Sequence, residues 1–251
     1  MAPLPLASLR HIPAASLHVS KPTWWLESRF HFSFADWWDP ARQNFGALRV
    51  VNDDIVAPRA GFGYVLDGSL SHADSMGSKE SLPRGCIQYM SAGTGVTHSE
   101  MNDHADPCRF IQVWITPDRG APGYGAPKYG STRHAPGARR NRLLHLLGGT
   151  TPAPAWPRVN GEGRQALHAD ANVFVCESDA GDAHDLELGP GRQAYLLCME
   201  GSLAANERQL GARDAAEVRG AGAGGGPTAL SLVAGEGGAH FMIIEMALAA
   251  E

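Results

Sequence analysis

The sequence predicts an all-β fold built as two lobes, and three observations carry that expectation. Short apolar, β-branched and aromatic runs alternate with clusters of Gly, Pro, Asn and Asp, the pattern of strands and turns. Convincing long helical patterns are absent. A segment also repeats: Leu66-Asp67-Gly68-Ser69-Leu70 is echoed by Met199-Glu200-Gly201-Ser202-Leu203, each after a Tyr-led apolar run. Repetition at that scale suggests two copies of one β-domain. The Pro/Gly-rich middle of the chain, residues 120–160, puts the junction there. The expected division is residues 1–140 and 141–251, the second domain being the smaller.

The chain has 251 residues, enough for one large or two modest domains, and at 43% hydrophobic and 19% charged it can bury a core without staples. A net charge of -5 offers no general attraction to nucleic acid or to an anionic membrane, and no run approaches the length of a membrane span. The local cluster Arg139, Arg140 and Arg142 reads as a solvated loop. Cys86, Cys108, Cys176 and Cys198 are scattered with no Cys-x-x-Cys pair, and three lie inside apolar runs. They read as small buried hydrophobes in a reducing compartment, cytoplasmic or nuclear. Residues 1–20 hold no acidic residue and are rich in Ala, Ser and Leu, so organelle targeting stays open; two Pro-containing patches and the single Arg10 argue against it. A monomer is expected.

Phe30, Phe32 and Phe34 alternate within an aromatic region from Trp24 to Trp38 and predict a half-buried strand before the Asp39-Pro40 turn, with core packing as the role of the aromatics. Leu48 to Val51 is a short strand closed by Asn52-Asp53-Asp54. Tyr64 to Leu70 reads as a hairpin about Asp67-Gly68. Pro83-Arg84-Gly85 turns the chain into Ile87 to Met90, and Phe110 to Ile115 is a buried strand stopped by Pro117. Residues 120–137 read as a linker or wrapping loop. Arg142 to Leu147 is apolar but too short for its period to separate helix from strand. Val173 to Cys176, Tyr195 to Met199 and Phe241 to Met246 complete the strands. Gly220 to Gly226 contains a formal Gly-x-Gly-x-x-Gly that neither follows a clear strand nor opens a helix, so a flexible loop is expected there. No local signature of nucleophilic catalysis appears.

The chemistry concentrates in Met90 to Asn102. His98 and Glu100 stand two apart, so on an extended strand they share a face, where an imidazole and a carboxylate can converge on one metal ion. Gly93 and Gly95 before them suggest a tight turn into that strand. A surface His hydrogen-bonded beside a Glu has the same spacing, and two ligands are not a site. The second lobe has no such pair. Its His168, His184 and His240 stand apart, and no metal is expected there.

Several runs resemble the pirin family: Ser33-Phe34-Ala35-Asp36-Trp37-Trp38-Asp39-Pro40, Leu48-Arg49-Val50-Val51-Asn52-Asp53-Asp54, Gly61-Phe62-Gly63, His72-Ala73-Asp74-Ser75-Met76-Gly77 and Met90 to Glu100, with Phe110 to Arg119 continuing the match. The resemblance is dense from Trp25 to Tyr124 and is one of pattern only beyond. It implies a bicupin, two jelly-roll barrels in one chain. It also implies a metal site of three histidines and one glutamate. Two histidines come from a His-Pro-His segment; the third, with the glutamate, comes from a His-Ser-Glu like His98-Ser99-Glu100. The His-Pro-His segment would fall between Gly63 and Tyr64 and is absent, although both flanks match. The N-terminal barrel is therefore expected to be short of about one strand. The metal site is expected to be incomplete, with His98 and Glu100 as its ligands. His72 and His104 are the nearest substitutes in sequence; His72 is expected in a structural hydrogen bond and His104 in an exposed loop.

The resemblance implies a metal-dependent quercetin 2,3-dioxygenase acting on a flavonol-like small molecule. It implies a mononuclear transition metal, iron first, with nickel, copper, manganese or zinc as the others. Glu100 would be both ligand and catalytic proton acceptor. With half of the family's ligands missing, the metal is expected to be weakly held and flavonol cleavage lost. Two other readings stay open. One is a non-catalytic regulatory module that binds proteins rather than DNA, as resemblance to pirin, a transcriptional cofactor, implies. The other is an inactive splice or gene-model variant.

Overall fold

The computed structural model describes residues 3–57, 64–135 and 137–248, with side chains for all of these except 64 and 158–165. Among them the chain is all-β: nineteen strands, a single-turn 3-10 segment at Ala14–Ser16, and no α-helix. It divides into two compact units, one of Leu17–Asn44 and Leu48–His134, the other of Met1–Ser16, Phe45–Ala47 and Ala135–Glu251. Strand β1 (Ser8–Ile12) belongs to the second unit. The first unit holds β2 (His18–Thr23), β3 (Leu26–Phe30), β4 (Leu48–Val56), β5 (Tyr64–Asp67), β6 (Ser69–Asp74), β7 (Lys79–Pro83), β8 (Ile87–Ser91), β9 (His98–Met101), β10 (Cys108–Ile115) and β11 (Lys128–Thr132). The second continues with β12 (Leu143–Gly148), β13 (Arg158–Ala166), β14 (Ala171–Ser178), β15 (Ala183–Leu188), β16 (Arg192–Ala205), β17 (Arg208–Gly211), β18 (Ala215–Arg219) and β19 (Thr228–Ala247).

In the first unit a five-stranded sheet runs β2-β3-β4-β10-β5, with a three-stranded sheet β7-β6-β9 and a β11-β8 pair. Val56, Val65, Leu70, Leu82, Cys86, Cys108 and Phe110 form its apolar core. Four elements differ from the sequence expectation. Strand β3 ends at Phe30, and Phe34 bridges back to Trp37 instead of extending it. The Ser33 N–H donates to Arg42 O, and the Asp39 N–H to Ser33 Oγ, which draws the backbone out of the ladder. Trp24 and Trp38 of that aromatic region are exposed, not packed.

Strand β4 does not stop at Val51 but runs on to Val56, with Asn52, Asp53 and Asp54 buried inside it. Such residues usually leave strands. Here each has a cross-strand partner: Arg109 grips Asp53 with two hydrogen bonds of 2.9 and 2.6 Å, Ser28 donates to Asp54, and Asn52 Nδ2 donates to Gln112 at 3.4 Å. Asp67-Gly68 is a corner between sheets, because β5 pairs with β10 while β6 pairs with β7 and β9. Gly68 has φ +71°, and a Cβ there would lie 2.5 Å from the Pro107 carbonyl oxygen. Only glycine makes that corner without strain. The expected loop 120–137 contains β11, paired with β8 from Lys128↔Ser91 to Thr132↔Ile87. The junction after Gly63, where the missing segment was placed, lies at 58–63, outside the described residues.

The second unit is one sheet following the path β1-β18-β16-β19-β14-β12-β13, with β15 on β19 and β17 on β16. The ambiguous Arg142 to Leu147 run is the strand β12, buried from end to end. Residues 3–16 join this unit, although the expected division puts them with the first, because β1 pairs antiparallel with β18 from Ser8↔Arg219 to Ile12↔Ala215. Gly201, the repeat's counterpart of Gly68, sits inside β16 with φ +74° between two ladder irregularities. The same motif thus breaks a strand in one unit and bends a continuous one in the other. All four cysteines are buried and none forms a disulfide. Arg139 is buried too, donating to Glu177 at 2.8 Å, so that part of the basic cluster is not a solvated loop. Among the described residues no helix is long and apolar enough to cross a membrane.

Candidate metal centre

Strands β6 and β9 are antiparallel, and their register sets His72 opposite Glu100 and Asp74 opposite His98. Each pair on its own strand is two residues apart, so the four side chains share one face. Ser99 and Met101 between and after them are exposed. The side chains of His72 and Glu100 are 1% and 3% exposed and that of His98 21%. His72 Nδ1 lies 3.5 Å from Glu100 Oε1, and His98 Nδ1 3.6 Å from Glu100 Oε2. One ligand atom from each of the three residues fits within 4.8 Å of the others, and this is the one such group among the described residues.

Neighbours fix each donor. Asp74 Oδ2 holds His72 Nε2 at 3.0 Å, which leaves Nδ1 turned toward Glu100. A carboxylate on the far nitrogen of a ligand imidazole is a recurring support in metal sites. Tyr129, from β11, stacks on the His72 ring at 4.0 Å between centroids and 10° between planes. Its hydroxyl donates to Glu80 at 2.6 Å, and Gln88 Nε2 donates to Glu100 Oε1.

Burial pushes the Glu100 carboxyl up to about 8, against the hydrogen bond from Gln88. The hydrogen bond with His72 brings Asp74 down to about 2, helped by backbone N–H groups of Ser78 and Met76 and opposed by desolvation. Burial, and then the neighbouring His72, lower His98 below the usual histidine range and favour its neutral form. These conditions fit a cation. His72 Nδ1 and Glu100 Oε2 are buried with no hydrogen-bond partner. Two imidazoles and one carboxylate form a donor set used by redox-active and other transition metals. A bound cation would restore the charged form of a carboxylate that burial disfavours.

A cavity of about 480 Å³ opens beside His98 and Glu100. Trp25, Phe30, Phe34 and Phe110 supply apolar wall, and Ser28, Asn52, Asp54 and Gln112 supply polar wall. The sequence-predicted His98 and Glu100 are brought together. His72 does make its expected hydrogen bond, but its other nitrogen enters the donor group. His104 lies elsewhere, against Ser81 Oγ at 2.9 Å. Asp74 was within reach of the sequence, since His72-x-Asp74 obeys the same two-residue rule as His98-x-Glu100. Tyr129 and Gln88 carried no local signal. In the second unit His184 meets Ser178 at 2.8 Å and His240 meets Glu200 at 3.1 Å.

Two β-units, one with a His/His/Glu cluster beside an aromatic cavity, define a bicupin. Comparison with known proteins agrees. The Pirin family model matches residues 14–115, and the quercetinase C-terminal cupin domain matches residues 158–246. The chain is 38% identical over 209 residues to a candidate quercetin 2,3-dioxygenase of Pseudomonas aeruginosa, covering 78% of this chain and 84% of that one. It is 36% identical over 209 residues to a pirin-like protein of Caulobacter vibrioides, with the same coverage. A bacterial pirin of Escherichia coli, solved in complex with nickel(II), matches with a TM-score of 0.79 at 25% identity, covering 96% of this chain and all of that one. The chain belongs to the pirin family.

Proposed function

We propose that the chain is a quercetin 2,3-dioxygenase-type bicupin whose first unit holds one transition metal through His72, His98 and Glu100. The observation that carries this is the convergence of the three ligand atoms within 4.8 Å beside an aromatic-walled cavity. The relatives' names point to a flavonol as the small molecule, and the nickel-bound structure points to nickel as one metal of fitting chemistry. When bound, the metal supplies a Lewis-acidic centre where a flavonol and oxygen meet. Trp25, Phe30, Phe34 and Phe110 hold a flat ligand and keep water away. Glu100 accepts the ligand's hydroxyl proton on its carboxylate, which Gln88 orients through Oε1. Asp74 and Tyr129 fix the His72 ring.

The set is one histidine short of the family's four donors, so the metal is held less tightly than a full set would hold it. That shortfall supports a second reading, a regulatory bicupin that binds metal and proteins without turnover. Metal content by mass spectrometry after nickel(II) or iron(II) loading, followed by flavonol absorbance under oxygen, separates the two. About one metal per chain with flavonol loss supports the enzyme, and metal without flavonol loss supports the regulator. A chain that takes up no metal under either loading contradicts both.

A further inference from the structure

The face of β3, β4 and β10 that lines the cavity is unusual for a strand core, because polar residues alternate on it with Phe30 and Phe110. Cross-strand register sets Ser28 beside Asp54, and Asn52 beside Gln112, on one face of β3, β4 and β10. All four are buried, and all four line the cavity. Burying polar groups is costly unless they are hydrogen-bonded. Asp53, on the other face of β4, is fully answered by Arg109. Asn52 is not: it is 1% exposed, its Nδ2 reaches Gln112, and its Oδ1 is buried with no hydrogen-bond partner. Turning the amide over would only exchange which polar atom is left over.

We propose that Asn52 and Asp54, flanked by Ser28 and Gln112, form a strip that reads hydroxyl groups on an aromatic ligand, and so decides which ligands the site accepts. The inference rests on the flavonol reading above and goes beyond it, because it assigns selectivity to a sheet that carries none of the metal donors. A hydroxyl both donates and accepts, so it satisfies the leftover atom of Asn52 in either amide orientation. Asp54 has burial raising its pKa to about 7, against the Ser28 hydrogen bond, so near neutrality it too can give or take a hydrogen bond. The aromatic residues around the cavity pack against any flat ring and discriminate little. The polar strip discriminates, because a ligand without hydroxyls leaves buried polar groups unanswered.

The test measures binding to the nickel-loaded full chain by quenching of tryptophan fluorescence. The two probes are quercetin, which carries hydroxyls on its pendant and fused rings, and 3-hydroxyflavone, which keeps the metal-facing hydroxyl and lacks the others. Wild type is expected to bind quercetin roughly five- to tenfold more tightly. In Asn52→Leu that preference should collapse through weaker quercetin binding, with 3-hydroxyflavone unchanged and nickel content retained. Gln112→Leu is the second variant, and the wild-type comparison needs no variant at all. Equal binding of both probes by wild type, or equal weakening of both in Asn52→Leu, overturns the strip and leaves the flavonol reading standing. If nickel-loaded wild type binds neither probe, the strip and the flavonol reading fall together.

Discussion

His72 is held from two sides, by Asp74 on Nε2 and by Tyr129 on its ring face, with Glu100 3.5 Å before Nδ1. A side chain so fixed has its donor atom aimed before any ion arrives. His72→Ala should therefore abolish stoichiometric nickel(II) binding, while His104→Ala leaves it intact; metal analysis after gel filtration checks both. Asp74→Asn removes only the support, and should weaken nickel affinity by about 10–100-fold without unfolding the chain. Asp54 makes a different prediction. It keeps its proton in the folded chain up to about 7, against 3.8 for the free group. Its stabilising contribution is thus complete below 3.8 and is lost as pH rises toward 7. His31 runs the other way. Burial, opposed by Asp53 and reinforced by Arg42, lowers it to about 4, so its contribution is present above 6.5 and is lost as pH falls toward 4. The two slopes offset each other in the native sequence. Asp54→Asn should unmask the His31 slope, its stability relative to wild type rising by on the order of 3–4 kcal/mol from about pH 4 to about pH 7 in urea titrations. At this scale the sequence disclosed His98 and Glu100, because the two-residue spacing is local. It did not disclose that His72 joins them, because the register that sets it opposite Glu100 is a property of two strands.

The corner at Gly68 shows how an element can be read correctly in its parts and wrongly in its pairing. Asp67-Gly68 between two apolar runs does mark a turn, but nothing within those residues says that the next strand joins another sheet. The contact that demands glycine comes from Pro107, far along the chain. Gly68→Ala should cost at least about 1–2 kcal/mol for the left-handed backbone, and more for the clash with that carbonyl. Gly77, at φ +93° with nothing within 4 Å of a built Cβ, is the control in which only the backbone term remains. Urea unfolding of both variants should place Gly68→Ala as the less stable. The same limit hid β4 and β11. Asn52-Asp53-Asp54 signals a turn locally, and only Arg109, Gln112 and Ser28 on neighbouring strands make it a strand interior. Strand β11 hides in a Gly- and Pro-rich segment, and with it Tyr129.

Over the whole chain the all-β class and the two lobes were legible, since strand length, turn residues and the repeated motif survive any register. The assignment of β1 was not, because its partner β18 lies more than two hundred residues on. Deleting residues 3–12 strips the ladder from β18 and should lower the denaturant midpoint of the second unit while nickel content stays the same. Nickel loss equal to that of His72→Ala would show that β1 also supports the first unit. The pairing of β1 bears on how the protein is made. Residues that meet at the β1–β18 ladder are separated by as many as 211 positions. At roughly 5–20 residues per second, the ribosome needs roughly 10–40 s between making one and the other. The twenty-residue β19 comes later still, and β14, β15 and β16 all pair with it. The first unit closes on itself within a contiguous stretch apart from Phe45–Ala47, so it can fold while translation continues. The second waits, with β1 trailing as an unanswered edge and the sheet centre missing. On the nascent chain the half that holds the His72, His98 and Glu100 cluster is thus the early half, and the half most in need of a chaperone is the one with no such cluster among its described residues.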